Sequence, residues 1–569
     1  MAGKALVPMK RWLSATSPDS ALRDAIAGIV LSILLVPQAM AYAQLAGLPP
    51  QMGLFASLAP PLLYLFFGTS PFVSVGPVAL VSLVIGEAVG NSGLAPEIGA
   101  AIVAIEAGVL LLLLGGFGLG RLVNFISEPV LLGFTSAAAV LIAASQLPTL
   151  LGIDAARAGD LPTAFSALWA GMPELRPTTA LIGIAALAAL VMANRYAAPT
   201  LWKLGVRPPF RQALAKSLPL TIIVAAGWAA VQMPGPVQMV EAIEGGLPSP
   251  FTTFVALSDW LALLPSALAV AIIIFVTATA VAKTLAGEDR SYLDSSREAV
   301  ALGAGNIAAA LTGGYAVGAS LSRSALVRDS GGRTPLGTVV ASLAVVAVLF
   351  FLAPFLAYLP KTALAALVIS AVFGLIKRRD IMTVWRHDRI EGLIIVAAFL
   401  ATLLFGVQLG LAIGAGLGLA HYLWFSSIPR VTRIGTGDGG ATYRSARRDE
   451  VTIETLPVLV VRIDRSIYFG NSEYCEDRIV EHVAQYEGVE KLVLDMRAVN
   501  SVDASGAAML LRLVQRMRDV GIIVHFASTH EPVAKSIKPY GGQRSDFHPT
   551  VSDALEACGV PPEGPIAYT

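Results

Sequence analysis

Apolar residues recur in long runs from Leu22 to about Phe425, each run bounded by glycine, proline or charge. An α-helix needs ~20 mostly apolar residues to cross a bilayer. The runs fall at 22–46 (broken by Pro37), 51–68, 77–90, 97–114, 126–147, 177–194, 217–233, 261–286, 297–312, 319–330, 335–353, 361–376, 390–406 and 407–425, which predicts fourteen spans, or seven plus seven. The Gly-rich stretch 406–418 fits either one bent helix or two short ones. Beyond Ser426 a Gly/Thr/Arg-rich linker, Arg430 to Arg448, leads into a different texture. There Val458–Ile463, Lys491–Asp495 and Gly521 to Ala527 read as strands, and Ser472 to Tyr486 and Ser505 to Val520 as helices. Their alternation predicts an α/β layer fold. The expected parts are a segment 1–21, a transmembrane domain 22–425, a linker 426–450 and a soluble domain 451–569.

Two of the runs are too short to span. Gly313 to Arg333, GGYAVGASLSRSALVRDSGGR, turns polar again at Asp329 after one short helical stretch. Ser70 to Pro77 leads into the short run Val78 to Ile85, and Val75-Gly76-Pro77 mirrors Val317-Gly318-Ala319. Pro77 suits the first helical position, having no N–H to leave unpaired. Backbone that is not helical at membrane depth must be buried in protein or line a polar cavity. Interrupted helices in corresponding halves point to an inverted-repeat transporter, and two facing N-termini offer free N–H groups and positive dipole ends to an anion.

Composition sharpens the class. Of 569 residues 55% are hydrophobic and only 14% charged, too apolar for a soluble chain of this size. Two cysteines, Cys475 and Cys558, argue against a disulfide scaffold and fit a reducing compartment. Met1 to Asp24 is polar and basic, without the pattern of a cleavable signal peptide. Arg195, Lys203, Arg207, Arg211 and Lys216 lie between the sixth and seventh spans, whereas the next connection carries Glu241, Glu244 and Asp259. The positive-inside rule then places both termini in the cytoplasm, in agreement with Lys4, Lys10, Arg11 and Arg23 before the first span and Lys377, Arg378 and Arg379 after the twelfth. The histidines form no metal-ligand pattern, and neither a phosphate-binding glycine loop nor a nucleophile elbow is present. No cofactor, no metal, no nucleic-acid partner and no enzymatic activity are expected.

Val36-Pro37-Gln38-Ala39-Met40-Ala41-Tyr42-Ala43, Ala46 to Pro50, Phe67 to Ser70 and Ser74 to Leu80 together resemble the SulP family of sulfate permeases and related anion transporters. Asn306, Ser320-Leu321-Ser322-Arg323-Ser324 and Asp495 to Gly506 continue the resemblance in order, the last opening a C-terminal STAS domain. The resemblance implies an α-helical polytopic membrane protein of fourteen spans in two inverted seven-span repeats with two half-helices, followed by an α/β STAS domain. It implies a core domain moving against a gate domain, and a homodimer. The substrate would lie against Gln38 and Tyr42 of the first span, Gly76, Pro77, Val78 and Ala79 of the third, and Ala319, Ser320, Leu321, Ser322 and Arg323 of the tenth. In the eighth span, where many cation-coupled members carry a carboxylate, counting back from Glu298 finds Thr277.

Each singled-out residue has a second reading. Arg323 either supplies positive potential to an anion or holds the repeats together through a buried pair. Ser320 and Ser322 either donate to substrate or bond back to their own helix. Gln38 either donates to an oxyanion or satisfies a carbonyl freed by Pro37. Tyr42 is a pocket wall or simple packing. Glu106, alone in the apolar run Ala101 to Leu114, is a coupling candidate or a carboxylate paired near a helix end. Ser505 aligns with the serine phosphorylated in sporulation relatives; otherwise it or Asp503 caps a helix. The expected function is secondary-active transport of a small anion, of the sulfate, bicarbonate, chloride or dicarboxylate class, across a plasma membrane by alternating access. A channel, or a membrane-anchored sensor reporting through the STAS domain to a cytoplasmic partner, is the alternative.

Overall fold

The computed structural model describes residues 12, 14, 16–121, 126–155, 158–206, 210–233, 235, 237–243, 246, 255–286, 293–435, 443–445, 457–537 and 547–559. Most of the expected 1–21 segment, linker residues 436–442 and 446–450, and Lys4, Lys10, Arg11, Arg207 and Glu244 of the orientation reading lie outside them. The chain forms two compact units, Met1–Gly418 and Leu419–Thr569.

The first unit begins with α1 (Pro18–Ala46), α2 (Pro50–Phe55), α3 (Ala59–Phe67), β1 (Val75–Gly76), α4 (Ala79–Gly90) and α5 (Pro96–Gly116). After these come α6 (Glu128–Leu151), α7 (Leu161–Gly171), α8 (Pro177–Lys203) and α9 (Phe210–Gln232). The second half runs through α10 (Leu257–Ala286), α11 (Ser295–Leu311), β2 (Gly318–Ala319), α12 (Leu321–Asp329), α13 (Leu336–Phe351), α14 (Ala353–Leu356), α15 (Lys361–Val372), α16 (Arg378–His387) and α17 (Arg389–Ser427). Eight helices among the described residues are long and apolar enough to cross a membrane. Taking α2 with α3, and dividing α17 at its non-helical Gly406, all fourteen expected spans have a helical counterpart.

The two halves correspond in order, β1–α4 in the first to β2–α12 in the second. Their strands pair antiparallel, Val75 with Ala319 and Gly76 with Gly318. An antiparallel ladder between equivalent segments is the local form of an inverted repeat. α1 packs on α13, α4, α2 and α12, and α5 packs on α11 and α10, forming one body of helices. α6, α8, α9 and α15 pack on one another as a second.

Three expectations change. α1 runs without interruption through Pro37; the proline removes one backbone donor, but tertiary packing on both sides holds the helix. Pro77 is not at the first helical position. The strand pairing keeps the chain extended through Val78, the N-cap, so α4 starts at Ala79. Part of the expected linker, Val431–Gly435, is strand.

In the second unit β3 (Val431–Gly435), β4 (Arg444–Ser445), β5 (Val458–Ile463), β6 (Lys491–Asp495), β7 (Ile523–Ala527) and β8 (Phe547–His548) make one sheet in the order β4-β3-β5-β6-β7-β8. β5 to β8 pair parallel, and β3 lies antiparallel to both its neighbours. The parallel pairs need crossovers, supplied by α18 (Ser472–Ala484), α19 (Ala504–Asp519) and α20 (Glu531–Ile537), which pack on one face of the sheet, with α21 (Val551–Ala557) on the other. β5 and β6 are buried on both faces, hence their continuous apolar sequence.

Candidate functional site

The β1–β2 ladder brings the two half-helix starts together. Ser320 N donates to Ser74 O at 3.2 Å and Ser74 N donates to Ser324 Oγ at 2.9 Å, so the pairing extends past the strands into the start of α12. Asn306 on α11 holds the preceding segment by both backbone groups. Its Oδ1 accepts from Val317 N at 2.8 Å, and its Nδ2 donates to Val317 O at 3.1 Å.

Arg323 lies one turn into α12 and is completely buried. Its Nη1 donates to Pro77 O at 2.7 Å, tying α12 to the approach of α4. Nε and Nη2 are buried with no hydrogen-bond partner, and no carboxylate pairs with the guanidinium among the described residues. Gly76 makes room for it: a Cβ there would lie 3.4 Å from Arg323 Nη2. Tyr42 and Tyr315 are within electrostatic reach, and Tyr315 is fixed by a 3.0 Å hydrogen bond between its hydroxyl and Ser82 Oγ. Gln38 is buried on the same helix as Tyr42, with Oε1 unpartnered.

The two N-termini differ. Val78, the N-cap of α4, has no side-chain acceptor for the first N–H groups, leaving them open to an external one. Ser320 caps α12, accepting from Arg323 N, and its Oγ lies 3.3 Å from Ser322 Oγ. Leu321 and Ser322 are exposed and Ala319 is buried in the ladder.

Thr277 is half-buried on α10 and donates to Ile273 O of its own helix at 2.6 Å, so its proton is committed internally. Glu106 is mid-helix in α5, with Oε2 buried and unpartnered; it has no ion-pair partner among the described residues. In the second unit Ser505 is exposed at the start of α19, and Asp503 is the cap, accepting from Gly506 N at 2.8 Å.

Two anchoring carboxylates escaped sequence reasoning. Glu298 on α11 is buried and accepts from Thr69 N at 2.7 Å, Thr69 Oγ1 at 2.5 Å and Tyr64 Oη at 2.8 Å. It fixes the turn that leads into β1. Asp24 on α1 is buried and accepts from Arg333 N at 2.6 Å and Thr334 Oγ1 at 2.6 Å, fixing the exit from α12. A third carboxylate, Glu87 near the end of α4, faces the break in α17: a Cβ on Gly406 would lie 3.1 Å from its Oε1. It helps line a polar cavity of about 620 Å³ with Gln44, Asn91, Gln146 and Asp154.

Paired half-helices on an inverted-repeat helical scaffold, followed by an α/β module, define a multi-pass membrane transporter. Residues 22–398 match the model of the Sulfate permease family and residues 450–554 that of the STAS domain. The chain belongs to the sulfate permease family, a family of anion transporters. It is 32% identical to sulfate transporter 4.1, chloroplastic, of Arabidopsis thaliana, over 97% of this chain and 82% of that protein. Its fold matches murine Solute Carrier 26 family member A9, an anion transporter solved in the inward-facing state, with a TM-score of 0.89 at 24% identity, covering 98% of this chain and 94% of that one. The transmembrane domain of the cyanobacterial bicarbonate transporter BicA matches 71% of this chain and 98% of its own, with a TM-score of 0.58 at 19% identity.

Proposed function

We propose that the chain is a secondary-active transporter that carries one small inorganic anion at a time across the plasma membrane by alternating access. The anion sits between the N-termini of α4 and α12, beside Arg323. The observation that carries this reading is the guanidinium itself, wholly buried, with one nitrogen bonded to Pro77 O and two unpartnered. A buried cation without a counter-charge is costly, and an anion bound there offsets that cost. Backbone N–H groups of α4 supply the remaining donors. Gln38, Tyr42 and exposed Ser322 border the anion, while Thr277 lends only an oxygen lone pair.

Sulfate is the first substrate to test, since the most similar relatives named above include a sulfate transporter; bicarbonate and chloride follow. Both termini face the cytoplasm in this reading, which the charge distribution of the loops supports. The protein works as a homodimer, and exposed Ser505 is where phosphorylation would act on the STAS module.

The test is anion binding and vesicle uptake by Arg323→Ala and Arg323→Lys. Losing a charge-assisted hydrogen bond of ~1.5–3 kcal/mol weakens binding by roughly 10- to 100-fold. The lysine variant retains the charge but not the fork, and is expected between the alanine variant and wild type. Folded Arg323→Ala with wild-type affinity would leave Arg323 only its structural bond to Pro77. Uptake accelerated by anion trapped inside the vesicles identifies a carrier; unsaturable flux without such acceleration identifies a channel.

A further inference from the structure

α16 lies between two membrane helices and has no buried residue. Ile381, Met382, Val384 and Trp385 fall on one side of its helical wheel, with Arg378 of the first turn between Met382 and Trp385, and Arg379, Asp380, Thr383, Arg386 and His387 on the other. Such a helix is short and too polar to span; Ile381 and Val384 are partly covered, with the helix packed on α6, while Met382 and Trp385 stay exposed. Met382 is 52% exposed and Trp385 41%.

Neighbouring elements show what covers it. The next helix, α17, is long and apolar enough to span and exposes Ile390, Leu393, Val396, Leu400 and Leu404 along one stripe, the pattern expected of a side that meets lipid. The Trp385 ring lies against Gly392 at the head of that span, where a Cβ has no room. Phe373, just before α16, is exposed as well. Met382 and Trp385 of α16 therefore continue the exposed apolar stripe of α17.

Its charge is one-sided too. Residues 377–389 hold Lys377, Arg378, Arg379, Arg386 and Arg389 against Asp380 and Asp388. Asp380 lies 3.9 Å from Lys377, and Asp388 caps α17 by accepting from Ile390 N at 2.7 Å. None of the four arginines has an ion-pair partner among the described residues.

We propose that α16 lies in the bilayer interface with Met382 and Trp385 among the acyl chains, and that Arg378, Arg379, Arg386 and Arg389 gather anionic phospholipid headgroups around it. Amphipathic helices with aromatic and basic residues bind membrane surfaces in this way, and each basic residue near an anionic leaflet adds to the attraction. The proposal is independent of what the protein transports.

The test uses the full chain with Met382→Cys, labelled with an environment-sensitive fluorophore. The native thiols do not compete: both are buried, burial pushes Cys475 up to about 12, and it raises Cys558 as well. The protein is reconstituted into vesicles of mixed phosphatidylcholine and phosphatidylglycerol in which either one or the other lipid carries brominated acyl chains. Both should quench the label, and at equal mole fraction brominated phosphatidylglycerol should quench about twofold or more strongly. Replacing all four arginines by glutamine, or raising the salt to suppress electrostatics, should equalise the two. Absence of quenching by either lipid overturns the interfacial placement. Equal quenching in the unsubstituted helix overturns the headgroup selectivity.

Discussion

Three buried charges govern the neighbourhood of the half-helices, and each is satisfied differently. Arg323 makes one bond and keeps two nitrogens free, while Glu298 and Asp24 are surrounded by donors. The guanidinium with free nitrogens is the group proposed to bind, and the saturated carboxylates hold the turns on either side of it. Glu298→Gln tests the positioning role, because the amide preserves shape but presents N–H groups to donors. An unsatisfied buried donor costs ~1–3 kcal/mol, so the purified variant should melt at lower temperature and bind its anion more weakly as the turn at Thr69 loosens. Wild-type melting and affinity in Glu298→Gln would show that the network does not position the site. The sequence pointed to Arg323 because a cation beside a half-helix start is conspicuous in an apolar chain. Glu298 served only as a landmark there, and Asp24 as the end of a polar lead-in. Their partners lie 229 and 310 positions away, a separation that no local pattern displays.

Elements fared according to how much of their conformation is local. The half-helices were legible because glycine and proline interrupt apolar runs, yet the start of α4 is shifted by pairing of Val75–Gly76 with its distant counterpart. In the second unit β5, β6 and β7 announce themselves as apolar runs, whereas β3 (Val-Thr-Arg-Ile-Gly) is half polar and read as linker. The Gly-rich stretch 406–418 admitted two readings, and Gly406, at φ 84° and ψ 176°, decides for two helices. This combination of φ and ψ is essentially restricted to glycine, and a side chain there costs on the order of 1–3 kcal/mol. Here its Cβ would also come within 3.0 Å of Gly159 O and 3.1 Å of Glu87 Oε1. Gly406→Ala should therefore lower thermal stability and slow uptake, with protein still inserted. Unchanged melting and unchanged uptake would mean that the break is dispensable.

At the scale of the whole molecule the open question is what drives the anion, and the structure narrows it to identifiable groups. At the eighth-span position Thr277 presents a neutral hydroxyl whose proton already serves Ile273 O, so it offers a cation an oxygen lone pair and no negative charge. Transport is accordingly expected to be independent of sodium. Proton coupling requires a carboxylate that is sheltered from water and not saturated by donors. Glu298 and Asp24 fail the second condition, whereas Glu106 and Glu87 each keep a buried, unpartnered Oε2. They differ in their surroundings. Glu87 lies against Gly159 and the Gly406 break and lines a polar cavity, while Glu106 stands in the apolar run 101–114 of α5 with no ion-pair partner among the described residues. Uptake measured across a range of pH in wild type, Glu106→Gln and Glu87→Gln separates these roles. If anion movement is proton-coupled through α5, Glu106→Gln should flatten the pH dependence and Glu87→Gln should retain it. If the protein exchanges anions, Glu106→Gln should leave exchange intact. Sodium-driven accumulation that persists in Glu106→Gln would refute both the reading of Thr277 and the choice of Glu106.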